Sequence, residues 1–226
     1  MSEIDGGAGS EVRVRAFMDY WNFALALREY EKRQKIAKVD IDWSQLGPWL
    51  CKHAGSVAKI SAEKVRYEGF HIYTSHNPKN PHNGKFRSWM MNTVDRFPGV
   101  QVVMKERKPK SPPNCPACHV AIDKCPSCSG DMIGTVEKGV DTALVTDMIK
   151  LAWEKAYDVA VLVSADRDFI PAVELLDAKG IKVVHAGFAP TGMDLARKCW
   201  ASFDMKPYLF ELERASAGAS DRPPRG

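Results

Sequence analysis

The chain has 226 residues, 45% of them apolar, and a net charge of +4, enough to bury a core in one domain that carries an insertion and too few for two full domains. The longest aliphatic run, Val159–Val163, is far too short to cross a bilayer, and Met1–Ser10 lacks the basic-then-apolar pattern of a secretory leader, so the sequence reads as a soluble cytoplasmic protein with no membrane partner. A charge of +4 permits a polyanionic partner without demanding one.

Strand and helix signals alternate along the chain, the pattern of a mostly parallel sheet with crossover helices. Residues 1–11 read as a flexible N-terminus. Val12–Met18 reads as a first strand, Asn22–Val39 as a charged amphipathic helix, and Trp43–His53 as a second helix interrupted at Gly47-Pro48. Arg66–Tyr73 reads as a strand, Ser75–Gly84 as a loop, Lys85–Arg96 as a helix and Val100–Lys105 as a strand. Beyond the interruption at Lys108–Asp131 come a helix (Val140–Lys155), a buried strand (Val159–Val163) and a helix (Phe169–Lys179). A strand (Ile181–His185), a short helix (Met193–Ala201) and a last strand (Tyr208–Leu212) follow, then a disordered tail over residues 213–226. No internal repeat is evident.

The strongest local motif is Cys115-Pro-Ala-Cys118 followed by Cys125-Pro-Ser-Cys128. Two such pairs can wrap one tetrahedral Zn²⁺, filling every position with thiolate, so the metal is expected to be structural. Redox dithiols are the weaker reading, because they open a helix after a strand, whereas residues 108–131 are proline-rich and poor in apolar residues. Zinc, worth about 10–16 kcal/mol in finger peptides, would supply the missing stability. The lone Cys51 and Cys199 fit a reducing compartment.

A second constellation is dispersed. Asp19 and Asn22 follow the first strand, Asp166 and Asp168 follow Val159–Val163, and Asp141 opens a helix. C-terminal strand ends line the ligand crevice of open parallel sheets. Clustered carboxylates repel unless a proton or cation joins them, and Mg²⁺ or Mn²⁺ takes oxygen ligands of this kind. Each acid alone reads equally well as a helix cap. Asp147, six residues beyond Asp141, is rotated about 120° away on the same helix.

Taken together, Phe17-Met-Asp19-x-x-Asn22, Lys138-Gly-Val-Asp141 with Asp147-Met148, and Leu162-Val-Ser164-Ala-Asp166-x-Asp168-Phe169 resemble the NYN family of PIN-like nucleases, including its LabA-like branch, over about residues 12–212. The resemblance implies a PIN-like, Rossmann-like three-layer α/β fold, here with a small zinc-knuckle insertion. It implies metal-dependent cleavage of RNA, with Asp19, Asp141, Asp166 and Asp168 as the Mg²⁺ or Mn²⁺ ligands. By the same carry-over Asn22 and Ser164 position ligands or substrate. Tyr20-Trp21 and the cysteine insertion depart from the pattern and leave substrate shape open.

Lys79, Lys85 and Arg87 flank one loop, and Lys105, Arg107, Lys108 and Lys110 run into the insertion; each alone reads as solvated charge. As a cluster, with Tyr20, Trp21 and Phe86 to stack on bases, they fit RNA that is single-stranded or has unpaired segments. Trp21 stands where a phosphoaspartate phosphatase needs a second aspartate, and no Gly-x-x-x-x-Gly-Lys loop is present. The competing expectation is a non-catalytic PIN-like module that binds RNA or a protein. The sequence leaves a homo-oligomer open.

Overall fold

The computed structural model describes residues 11–214; the readings for residues 1–10 and 215–226 lie outside these. Strands β1 (Val12–Asp19), β2 (Val65–His76) and β3 (Val100–Glu106) are followed by β4 (Lys108–Lys110) and β5 (Gly134–Val136), which pair as a separate antiparallel ribbon. Then come β6 (Val159–Val163), β7 (Lys182–Gly187) and β8 (Ala201–Asp204). The six long-range strands form one parallel sheet in the order β3-β2-β1-β6-β7-β8. The order runs outward in both directions from the β1–β6 pair. That pair is the topological switch point, where a crevice opens beyond the carboxyl ends of the strands.

Helices α1 (Tyr20–Gln34), α2 (Trp43–Val57) and α3 (Pro81–Asn92) cover one face, and α4 (Val140–Trp153), α5 (Ile170–Ala178) and α6 (Met193–Lys198) the other. The three-layer architecture agrees with the expected α/β class. Coverage on both faces explains why β6 is an unbroken apolar run, all of it buried. Helix α2 lies close to the sheet at Gly47, where an added Cβ would meet Phe70 Cβ and the Tyr67 hydroxyl at 2.8 Å. No helix among the described residues is long and apolar enough to cross a membrane.

Several expected boundaries move. Helix α1 stops at Gln34 because Lys35 takes a left-handed conformation. Helix α2 continues through Pro48, which removes only one ladder donor. Helix α3 begins at Pro81, with the Asn80 side chain accepting from the His82 N–H at 2.9 Å, so the Asn-Pro stretch read as loop is a helix start. The last strand is Ala201–Asp204, and the span read as strand forms 3-10 turns over Lys206–Leu212 that bury Leu209 and Leu212, three residues apart. At the start of the expected tail, Glu213 bridges to Ile41.

Between β4 and β5 lies a repeat that the residue identities conceal. Residues 113–122 and 123–132 close with the same backbone bonds, all 2.8 Å: Cys115 N–H to Val120, His119 N–H to Cys115 and Ile122 N–H to Pro113, then Cys125 to Gly130, Ser129 to Cys125 and Met132 to Asp123. His119 and Ser129 both adopt positive φ. Each unit is one Cys-Pro-x-Cys knuckle.

Candidate functional site

Asp19 ends β1 and is 7% exposed. Its neighbour in the register, Met18, pairs with Val163 of β6, so Asp19 and Ser164 leave the sheet side by side. Asp19 also caps α1, accepting from the Asn22 N–H at 3.2 Å through Oδ1. Asp166 likewise caps the 3-10 turn Arg167–Phe169, accepting from the Asp168 N–H at 2.9 Å through Oδ1. Capping and ligand binding are therefore compatible here, since each cap engages one carboxylate oxygen.

The acids feel one another. Burial pushes the Asp19 carboxyl up to about 6, helped by the charges of Asp141, Glu137 and Asp166 and opposed by the Asn22 N–H. Asp141 is raised by burial and then by Glu137, Asp166 and Asp168. Asp141 sits in the first turn of α4, after Gly139 in a left-handed conformation. Among the described residues, none of Asp19, Asp141, Asp166 and Asp168 has an ion-pair partner. Asp147 faces elsewhere, accepting from the Tyr73 hydroxyl at 2.9 Å.

Two residues brace the loop after β6. Asn22 Oδ1 accepts from the Ala165 N–H at 2.7 Å. Ser164 is buried; its hydroxyl accepts from the Asp166 N–H at 3.2 Å and its carbonyl accepts from His185 Nε2 at 2.7 Å. Burial holds His185 below the usual imidazole range and so neutral, against the pull of that carbonyl. A cleft of about 300 Å³ opens beside Asp166 and Arg167, with Pro190, Gly192 and Asp194 across it. Gly192 has φ 79° and a Cβ there would meet Ala165 Cα at 2.8 Å, so only glycine lets the two loops approach.

Lys85 and Arg87 on α3, Lys105 at the end of β3 and Lys108 on β4 are exposed and make no ion pair among the described residues. Lys79 and Lys110 are exposed as well. Arg107 is different: its Nε donates to the Ser75 hydroxyl at 2.9 Å, and its guanidinium lies 3.6 Å from Glu137 and 5.5 Å from the Trp21 ring. The expected base-stacking platform is not free. Tyr20 and Phe86 are buried against each other and against Trp43 and Trp89, which leaves Trp21 half-exposed under Arg107. Glu137 is the acid that sequence reasoning missed; its only signal was its place four residues before Asp141.

The donor sets can be compared with the metals they would serve. Oxygen donors of like charge, unpaired by any cation, suit a hard divalent ion. In the knuckles, backbone N–H groups of Cys118 and Ala117 donate to the Cys115 thiol, and those of Ser127 and Cys128 to Cys125, holding both thiols below their ordinary range. That is chemistry suited to Zn²⁺. Among the described residues, however, no three His, Cys, Asp or Glu side chains are gathered closely enough to hold a metal ion. None of the four knuckle cysteines forms a disulfide.

A sequence profile of the NYN domain matches residues 13–205. Among solved structures the chain is similar to a protein of unknown function from Vibrio parahaemolyticus, at 14% identity and a TM-score of 0.52, over 88% of this chain and 96% of that one. At that identity the likeness is one of fold. Comparison with curated proteins finds no match.

Proposed function

The chain belongs to the NYN domain family, and on that premise we propose that it is a metal-dependent ribonuclease acting in the cytoplasm on RNA with unpaired segments. The observation that carries this reading is the convergence of Asp19, Asp141 and Asp166 at the switch point of the sheet, where the charges of Asp141 and Asp166 act on the buried Asp19 and no cationic side chain among the described residues is ion-paired with any of the three. Asp19, Asp141, Asp166 and Asp168 are the residues that hold Mg²⁺ or Mn²⁺. A cation bound there supplies a polarised phosphate and a water made acidic enough to attack it.

The protein's own groups do the positioning. Asn22 and Ser164 set the loop that carries Asp166 and Asp168. Asp19, nearly enclosed, keeps its charge in a low-dielectric wall where its attraction for a cation is least screened. Lys85, Arg87, Lys105 and Lys108 neutralise RNA phosphates, and the cleft beside Asp166 receives the strand. The cysteine knuckles close on a structural Zn²⁺ through Cys115, Cys118, Cys125 and Cys128.

A second reading, a module that binds RNA or a protein without cutting, draws on the finding that among the described residues no three acids are already gathered closely enough to hold a metal ion. Incubating the full chain with single-stranded RNA in Mg²⁺, Mn²⁺ or EDTA separates the two. Cleavage that needs the metal supports the nuclease. Binding with no cleavage in any divalent metal supports the module.

A further inference from the structure

We propose that the RNA strand leaves the acids across the loop after β7, with one phosphate on Arg167 and the next base seated in a cavity against Tyr30; this rests on the reading of the chain as an enzyme that acts on RNA. Two hollows flank that loop and share Pro190 as a common wall. One is the cleft beside Asp166. The other, about 110 Å³, lies between the second half of α1 and residues 188–191. The loop between them is braced, since the Thr191 N–H donates to the Phe188 carbonyl at 3.0 Å and the Met205 N–H to the Gly187 carbonyl at 2.8 Å. Lys105, near the end of β3, stands on the other side of the acids in the sheet order. From β3 to β7 is four strand spacings, roughly 19 Å, so one strand of RNA can touch both sides.

The charges assign a different chemistry to each hollow. Both cations lining the cavity are already engaged: Arg33 pairs with Glu29 along α1, and Lys206 lies 3.3 Å from Asp204 and donates to the Ala189 carbonyl. What remains is neutral. The Tyr30 and Phe188 rings lie 6.3 Å apart, tilted by 37°, and Gln34 and Thr191 add an amide and a hydroxyl to the lining. Aromatic faces with hydrogen-bonding groups beside them suit an unpaired base, which stacks through its face and bonds through its edge. A phosphate would find no open charge there. Arg167 is the converse: it is exposed and has no ion-pair partner among the described residues, although Asp166 and Asp194 line the same cleft. An open guanidinium beside the acids suits the paired oxygens of a phosphate.

Binding of short single-stranded RNA to the full chain in EDTA, with an abasic nucleotide placed at each position in turn, tests this without cleavage. Removing the base at one position should weaken binding about 5-fold to 150-fold, the range of a single stacked base. That penalty should vanish in Tyr30→Ala and persist in Tyr30→Phe, while Arg167→Gln should lower the log–log salt slope by about 0.7. A penalty equal in the parent and Tyr30→Ala, or a slope unchanged by Arg167→Gln, overturns the proposal. Should Tyr30→Ala fail to fold, photocrosslinking of thiouridine-containing RNA to the parent decides: adducts within residues 26–34 or 188–191 sustain the cavity, and adducts only elsewhere overturn it. RNA that is bound through Tyr30 but never cut in any divalent metal removes the nuclease and leaves the base site, whereas cleavage with no positional penalty does the reverse. A chain that binds no RNA overturns both.

Discussion

Asn22 Oδ1 accepts the Ala165 N–H at 2.7 Å, fastening the helix after β1 to the loop after β6 across 143 residues of chain. The bond carries no charge, yet it fixes Asp166 relative to Asp19. Asn22→Ala leaves a backbone N–H unpaired and should cost about 1–3 kcal/mol. It should lower RNA cleavage by about 10-fold to 100-fold, as loss of an orienting partner does at metal sites. Urea unfolding and single-turnover cleavage of the same preparation check both.

Asp19 predicts a pH-dependent stability with a definite sign. Burial pushes its carboxyl up to about 6 in the folded chain from an ordinary value of 3.8, so between these values the folded state binds more protons than the unfolded one. This group's contribution to stability is therefore full below the lower value, declines as pH rises, and is lost above about 6. Asp19→Asn retains the cap but not the charge. In EDTA it should be more stable than the parent near pH 7, by up to roughly 3 kcal/mol, with the gap closing near pH 4. An equal gap at both pH values in urea titrations would show that ionisation is not its source.

The tandem knuckles should carry one Zn²⁺ per chain, displaced by Cys115→Ser or Cys128→Ser, with melting confined to about residues 108–136. Elemental analysis of reduced protein, with hydrogen exchange across the ribbon, measures this. Metal that survives both substitutions, or a chain free of zinc, contradicts it.

RNA affinity should fall with salt, and replacing Lys85, Arg87, Lys105 and Lys108 together with Ala should reduce the log–log slope by about 3, since each lost single-strand phosphate contact removes about 0.7. Arg107 is left in place because it is already engaged by Glu137 and Ser75. An unchanged slope moves the interface elsewhere.

Much of the architecture was legible because the signals were local. The apolar run of β6 and the acids trailing β1 and β6 are local signals that put Asp19 and Asp166 at one sheet edge. Glu137 was not legible: it reaches the crevice through a ribbon and is fixed by Ser75, 62 residues away in sequence. Tyr20 and Phe86 read as stacking platforms because burial between helices and sheet is a tertiary outcome. The short edge strand Ala201–Asp204 carries too few residues to signal period-two alternation, while Tyr208–Leu212 mimics it. The knuckle repeat is faint in sequence because its two units share a backbone course with few matching side chains.

The proposed ribonuclease requires a cation held by the acids at the β1–β6 switch point. Cleavage of single-stranded RNA in Mn²⁺ by the parent, Asp19→Asn and Asp166→Asn chains, each first shown to be folded, tests it most directly. Both substitutions should reduce the rate by orders of magnitude while RNA binding persists. Equal rates in parent and variants, or no cleavage by the parent in any divalent metal, would contradict it.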